Sequence, residues 1–133
     1  MAKSGIRTIA IEPNPTSFNI LNENVALNRL SEKEITLVNR ALDVTNDTTV
    51  QLMDDFSTSH LLRVGEKSDQ VSIVNVKTIS FDVLIKTYNI SVQDIRCIKI
   101  DVEGFEFNVL KSMEGFFLRQ DQSLKVICEI LPN

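Results

Sequence analysis

The sequence predicts an α/β fold in which a mostly parallel sheet is flanked by helices. Short apolar runs rich in β-branched residues alternate with longer segments whose apolar residues recur at helical spacing. Two of the apolar runs end in acidic residues directly before a helical segment, one at Glu12 and one at Asp101. Strand-to-helix turns of this kind lie at the carboxyl edge of an open α/β sheet, where such folds bind ligands. We therefore expect the functional residues at these two turns.

The first turn follows a short strand predicted at residues 8–11. Glu12 comes directly after the strand, and Asn14 and Pro15 then have the preferences of an N-cap and a first helical residue. The following helix has an apolar face made of Phe18, Leu21 and Val25. In nucleotide-binding sheets, an acid after the second strand commonly accepts hydrogen bonds from ribose hydroxyls. Glu12 is either such a ligand or an ordinary solvated acid at the end of a strand.

The middle of the chain predicts three strands, a loop and a short helix. The strands are expected at residues 35–41, 48–53 and 71–76, with a turn at Asn46 and Asp47. Residues 54–70 are polar without a clear period and predict a loop, which carries His60. As the single histidine of the chain, His60 is a candidate general base as well as an ordinary loop residue. Ser80 is expected to cap a helix whose apolar face is Phe81, Leu84, Ile85 and Tyr88.

The second turn follows residues 95–100, which are apolar enough to predict a strand buried on both faces. A helix is expected from Phe105, with Gly115 as its left-handed C-terminal cap. Asp101 and Glu103 would then project from the edge of the sheet beside the start of this helix. They are candidates for interaction with a ligand or its attacking hydroxyl. The alternative is that one of them caps the helix and complements its dipole.

A last strand is predicted at residues 125–131. Glu129, near its end, is a third acid that can reach the edge of Asp101, or it is a solvated strand terminus. Cys97 and Cys128 lie in apolar runs without a Cys or His at metal-binding spacing. We expect both to be reduced core residues, and we expect no metal site.

Composition indicates one globular domain over residues 1–133, with 43% hydrophobic and 24% charged residues. The formal net charge of −4 and the scattered basic residues argue against nucleic acid as a partner. No stretch is long and apolar enough for a membrane span or a signal peptide, so we expect a cytoplasmic protein. A small neutral or hydroxylated substrate fits this charge better than a polyanion.

Three segments together resemble a known family. They are Ile9-Ala10-Ile11-Glu12-Pro13-Asn14-Pro15, Thr78-Ile79-Ser80-Phe81-Asp82-Val83-Leu84 and Lys99-Ile100-Asp101-Val102-Glu103-Gly104-Phe105-Glu106. Their order and spacing are similar to those of the FkbM-type S-adenosylmethionine-dependent methyltransferases. The resemblance implies a Rossmann-like class I methyltransferase fold. It also implies O-methylation of a hydroxyl on a sugar or other small metabolite, with S-adenosylmethionine as cofactor.

The same resemblance assigns roles to particular residues. Glu12 would hold the ribose of the cofactor, and Asn14 would help to shape that corner. Leu42 would pack on the adenine, and Asp43 or a neighbouring backbone group would meet the adenine amino nitrogen. Asp101 and Glu103 would lie beside the transferred methyl group as the catalytic residues. Asp101 would accept a proton, and Glu103 would orient the hydroxyl or meet the amino group of the cofactor.

The chain departs from the family pattern at its first element. The strand and glycine-rich turn that contact the methionine part of the cofactor are absent, and none of the four glycines forms a G-x-G spacing. A gap in the sheet is therefore expected. Three outcomes would repair it: the chain is a fragment of a longer enzyme that carries the missing upstream strand, the two flanking strands close directly onto each other, or a second chain supplies the strand. The chain also ends before the last two strands usual in the family, so we expect truncation at both ends.

The same departure leaves other functions open. One is a non-catalytic remnant or interaction module that has lost cofactor binding. A nicotinamide-dependent oxidoreductase is disfavoured because its glycine fingerprint is absent as well.

Overall fold

A computed structural model of the chain describes residues 5–54, 60–61, 72–102, 104–119 and 124–129. It contains both strands and helices, which agrees with the predicted α/β class at the level of a mixed α/β structure. The chain divides into two compact units, Met1–Ala41 and Leu42–Asn133.

The first unit is a strand-helix-strand unit, as the sequence predicts. It consists of β1 (Thr8–Ile11), α1 (Pro15–Leu27) and β2 (Ile35–Val38). β1 and β2 pair in parallel, from Thr8 opposite Ile35 to Ile11 opposite Val38. A parallel pair needs a crossover connection, which α1 supplies.

The strand predicted at residues 35–41 is two strands in the structure. β2 ends at Val38, and β3 (Ala41–Leu42) begins at the boundary between the two units. Between them, the Asn39 side-chain amide donates hydrogen bonds to the carbonyl oxygens of Glu12 (2.8 Å) and Pro13 (3.0 Å). The backbone pairing of β1 with β2 ends at Ile11 and Val38. The next contact between the two segments is made by the side chain of Asn39.

The largest sheet contains β3, β4 (Thr49–Asp54), β5 (His60–Leu61) and β6 (Ser72–Ile79), in the order β3-β6-β4-β5. β4 is antiparallel to both β5 and β6. One face of the β4–β6 pair is polar and exposed over two residue pairs, Thr49 opposite Lys77 and Gln51 opposite Asn75. The third pair on this face, Met53 opposite Ile73, is apolar. An antiparallel sheet tolerates one solvated face, whereas parallel sheets are usually covered on both.

The last sheet is a parallel pair of β7 (Cys97–Ile100) and β8 (Lys125–Cys128). The described residues thus form three sheets, and the prediction of one mostly parallel sheet is wrong for them. Parallel pairing is confirmed at β1–β2 and β7–β8 only. The antiparallel sheet was missed because the pairing of β4 with β6 is not encoded in either strand alone.

The prediction that the strand before Asp101 is buried on both faces is also wrong. Ile100 is buried and Ile98 half-buried, but Cys97 and Lys99 are exposed, so β7 alternates as a strand with one covered face does. Cys97 is therefore not a core residue, whereas Cys128 is half-buried. Both are free thiols.

The described part of the second unit contains three short helices: α2 (Phe81–Thr87), α3 (Glu106–Ser112) and α4 (Glu114–Phe117). A 3-10 turn at Val92–Asp94 precedes β7. The Phe81 and Phe116 rings lie 4.9 Å apart at an interplanar angle of 54°, a tilted aromatic pair. Among the residues of this unit that the structure describes, the buried apolar ones are Leu52, Met53, Val76, Ile79, Phe81, Leu84, Ile100, Val109, Met113 and Phe116.

The predicted helix ends are partly corrected. Gly115 is not a left-handed cap but lies inside α4, because the Met113 carbonyl accepts the N–H groups of Phe116 and Phe117 and starts a new turn. Ser80 is the residue before α2, as predicted, yet among the described residues its side chain makes no capping hydrogen bond.

The loop predicted at residues 54–70 is described only in part. β4 continues to Asp54, and the backbone of His60–Leu61 forms β5, where Met53 pairs with His60. The position of His60 in a loop is therefore wrong. The rest of this predicted loop lies outside the described residues.

Candidate functional site

The first candidate site is the turn between β1 and α1. The Glu12 N–H donates to the Val38 carbonyl at 3.0 Å, so the residue continues the parallel ladder before the chain turns. The Glu12 Oε1 then accepts a hydrogen bond from the Asn14 N–H at 2.8 Å. Within the described chain, no hydrogen bond reaches Oε2, the second carboxylate oxygen.

The environment of Glu12 favours its neutral form. The carboxyl is half-buried, and loss of solvation raises its pKa above 4.5, while the hydrogen bond from Asn14 opposes this shift. An ionised Glu12 is thus a partly desolvated acceptor with one oxygen available. This oxygen can accept a hydrogen bond from a hydroxyl group of a ligand.

Asn14 shapes this turn through its side chain. Its Oδ1 accepts hydrogen bonds from the N–H groups of Thr16 (2.8 Å) and Ser17 (3.3 Å), which confirms the predicted N-cap. Only 1% of Asn14 is exposed, so it acts on the shape of the turn instead of presenting its side chain to solvent. Asn39, which fixes the backbone of the same turn, was not predicted from the sequence.

The second candidate site is the turn from β7 to α3. Asp101 follows the strand, Glu103 lies outside the described residues, and Gly104 has a φ of 94°. The Gly104 N–H donates to the Glu106 Oε1 at 2.9 Å, and Glu106 itself is buried. Glu106 thus holds the turn in the left-handed conformation that glycine permits.

Asp101 lies at the solvent-exposed start of this turn, paired with Lys99. The Lys99 Nζ donates to the Asp101 Oδ2, and this hydrogen bond together with the negative charge of Asp101 raises the pKa of Lys99. The charge of Glu129 contributes to the same shift, and its N–H donates to the Ile100 carbonyl. Asp101 is therefore an accessible, charge-paired carboxylate, and Glu129, whose charge acts on the same lysine, is itself exposed.

A third group of contacts surrounds Asp43, which follows β3. Its N–H donates to the Ile79 carbonyl at the end of β6 at 3.1 Å. Its Oδ2 accepts the Thr45 hydroxyl at 2.8 Å, and its Oδ1 accepts the Asn108 amide at 3.5 Å. Asp43 is buried and Leu42, next to it, is half-buried. The structure thereby joins the end of β3 to α3.

The predicted site residues are distributed over both units. Glu12 and Asn14 share one turn of the first unit, whereas Leu42, Asp43 and Asp101 belong to the second. The supporting roles of Glu106, Asn108 and Thr45 were not predicted from the sequence. A signal for Glu106 is present, since an acid in the first turn of a helix readily accepts a nearby backbone N–H.

Two further properties follow from the described part of the chain. It contains no group of three or more His, Cys, Asp and Glu side chains placed to hold a metal ion. None of its helices has the length and apolar character needed to cross a membrane.

Comparison with protein families matches residues 1–133, the whole chain, to the methyltransferase FkbM domain. Comparison with curated proteins and with solved structures returns no significant match. The family match covers both turns described above, as the sequence resemblance implied. The chain therefore belongs to the FkbM methyltransferase family.

Proposed function

We propose that this methyltransferase uses S-adenosylmethionine to methylate a hydroxyl on a sugar or other small metabolite. The main support is the turn after β7, where an accessible carboxylate, Asp101, precedes a left-handed glycine that leads into a helix. We take this turn as the catalytic edge of a Rossmann-like arrangement. The parallel unit β1-α1-β2 is consistent with such an arrangement.

The residues around Glu12 fit the ribose of this cofactor. The Glu12 Oε2 is an acceptor without a partner in the described chain, and two vicinal hydroxyls are donors that a carboxylate can bind. Asn14 keeps the turn in shape by capping α1. In the second unit, Leu42 would pack on the adenine. Asp43 or a neighbouring backbone group would accept a hydrogen bond from the adenine amino group.

Asp101 and Glu103 would act on the acceptor. When bound, the cofactor supplies an electrophilic methyl group on a sulfonium, which is a good leaving group. The demand on the protein is therefore alignment of the hydroxyl and modest assistance in removing its proton. Asp101 is the proposed proton acceptor, and Glu103 is proposed to orient the hydroxyl.

The direct test is calorimetric titration of the 133-residue chain with S-adenosylhomocysteine, after circular dichroism has shown that the chain is folded. Saturable one-to-one binding is the expected result. A folded chain that does not bind would overturn the cofactor assignment. It would instead support the alternative of a non-catalytic module that has lost the cofactor site.

Asp101→Asn tests the catalytic assignment once cofactor binding has been shown and a methyl acceptor has been identified. Compared with wild type, the variant should lose much more kcat than cofactor affinity, because the amide cannot accept the proton of the hydroxyl. Lys99→Met is the matched control, since it removes the ion pair but keeps the carboxylate. Equal losses of kcat and cofactor affinity in Asp101→Asn would mean that Asp101 supports the fold or the cofactor instead.

A further inference from the structure

We propose that Asn108 is a positioning residue of the cofactor site, acting through Asp43. Its side-chain amide holds the Asp43 carboxylate at the end of β3 in the orientation that meets the adenine. This inference rests on the proposed function, because the adenine contact of Asp43 belongs to that proposal.

The burial of Asp43 makes its hydrogen-bond donors important. Only 7% of Asp43 is exposed, and a buried carboxylate is costly unless donors surround it. Two side chains of the described structure supply them: the Thr45 hydroxyl at 2.8 Å and the Asn108 amide at 3.5 Å. Thr45 is two residues away, so it moves with Asp43. Asn108 is 65 residues away and ties the carboxylate to another element.

The position of Asn108 on α3 connects the two halves of the proposed site within the second unit. Two residues earlier on the same helix, Glu106 accepts the Gly104 N–H of the turn after β7. One short helix therefore holds both the acidic turn and the end of β3. A carboxylate has about four lone-pair positions, so two donors leave room for the amino group of a ligand.

The first experiment compares Asn108→Ala with Asn108→Asp in denaturant unfolding of the full chain. If the amide donates to Asp43, alanine removes a donor, whereas aspartate keeps the size but places a second carboxylate against Asp43. We expect the order of stability to be wild type, then Asn108→Ala, then Asn108→Asp. An Asp variant as stable as wild type, or more stable than Ala, would mean that the size of the side chain matters and would overturn the donor role.

The second experiment measures selectivity between S-adenosylhomocysteine and its hypoxanthine analogue, S-inosylhomocysteine. Hypoxanthine carries a carbonyl where adenine carries the amino group, so a carboxylate in contact with it prefers adenine. We expect Asn108→Ala to weaken adenosine binding about three- to tenfold, the range for loss of one hydrogen bond, and to weaken inosine binding less. Equal weakening for both ligands would indicate a merely structural role.

The matched control is Asn75→Ala, the same chemical change on the exposed face of β6. It should alter neither the stability order nor the selectivity. A folded wild-type chain that binds neither ligand would refute the proposed function, while the unfolding order would still decide whether Asn108 holds Asp43. A wild type that binds both ligands equally would overturn the adenine contact of Asp43 and with it the positioning role.

Discussion

Removal of the half-buried carboxylate of Glu12 should have opposite effects on the stability of the protein and on cofactor binding. Its pKa is raised because burial removes solvent, so ionisation opposes folding. Below the unfolded-state pKa near 4.5, the neutral carboxyl makes its full contribution to the free energy of unfolding. This contribution is lost as the pH rises through the higher pKa of the folded state. Glu12→Gln keeps the acceptor for the Asn14 N–H and removes the ionisation. We therefore expect the variant to be more stable than wild type at neutral pH and to lose this advantage at acid pH.

Denaturant unfolding at neutral and acid pH measures this difference. The control is Glu23→Gln, which changes an exposed carboxylate on α1 and should have little effect. An equal advantage of Glu12→Gln at both pH values would show that ionisation of Glu12 is not the cause.

The same residue should have the opposite effect on the cofactor. Glu12→Ala removes the carboxylate proposed for the ribose hydroxyls, so it should weaken S-adenosylhomocysteine binding by about 1.5 to 3 kcal/mol, the range for hydrogen bonds to charged groups. Calorimetry of wild type and variant gives the difference directly. An unchanged affinity would remove Glu12 from the site.

The two thiols should differ in reactivity. Cys97 is exposed on β7, whereas burial raises the pKa of the Cys128 thiol and the negative charge of Glu106 raises it further. Because the thiolate is the reacting form, iodoacetamide should modify Cys97 well before Cys128 at about pH 8. Peptide mass spectrometry over time reports the order. Modification of Cys128 first would contradict the burial described for these strands.

Which residues of the site can be predicted from the sequence depends on how far away their partners are. Asn14 was predicted as a cap because its partners, Thr16 and Ser17, are within three residues. Asn108 could not be predicted, since its partner Asp43 is 65 residues distant and nothing in the α3 sequence specifies it. Local signals thus identify turns and caps, but not the contacts that fix them to one another.

At the level of elements, the turn between β7 and α3 depends on one glycine. Gly104 has a φ of 94°, and a Cβ added there would meet no atom within 4 Å, so the cost of a side chain is backbone strain alone. We expect Gly104→Ala to lower the free energy of unfolding by about 1 to 2 kcal/mol. Because Glu106 holds the Gly104 N–H, relaxation of this strain would also disturb the start of α3.

Gly115 provides a matched control for the same substitution. It lies inside α4, also without an atom within 4 Å of an added Cβ, and its φ is not positive. Gly115→Ala should therefore be neutral or stabilise by up to about 1 kcal/mol, because alanine is the better helix former. Denaturant unfolding of both variants tests the pair. Equal effects would mean that Gly104 does not adopt the left-handed conformation.

Predictions of single elements were more reliable than predictions of their pairing. β1 has the expected bounds and α1 the expected start, because a β-branched run, an N-cap and a proline follow one another. β7 was expected to be buried on both faces, yet Cys97 and Lys99 are exposed. Residue types limit where a strand forms, but the number of covered faces depends on which other elements pack against it.

At the scale of the whole molecule, the presence of both strands and helices was predictable, whereas the division of the described residues into three sheets was not. The class follows from the alternation of strand and helix patterns. The sheets depend on pairings between distant segments, such as β4 with β6 across residues 55–71. The residues of β4 and β6 alone do not indicate whether these strands form a separate antiparallel sheet or the edge of a larger one.

The proposed cofactor site can be tested on the whole chain without knowledge of the acceptor. A ligand that binds only the folded state raises the free energy of unfolding, by about 2.7 kcal/mol at a hundred times its Kd. We expect S-adenosylhomocysteine to stabilise wild type and Asp101→Asn alike, because Asp101 is assigned to the acceptor hydroxyl. Glu12→Ala should be stabilised much less at the same concentration, because Glu12 is assigned to the ribose.

Denaturant unfolding with and without the ligand separates the two roles, and Glu23→Gln serves as the control that should behave as wild type. If Asp101→Asn lost the stabilisation to the same degree as Glu12→Ala, Asp101 would be a cofactor ligand instead of the proton acceptor. If neither variant lost it, the ligand would bind elsewhere on the chain. Since each unfolding transition is measured relative to the same variant without ligand, an intrinsic change in stability does not affect the comparison.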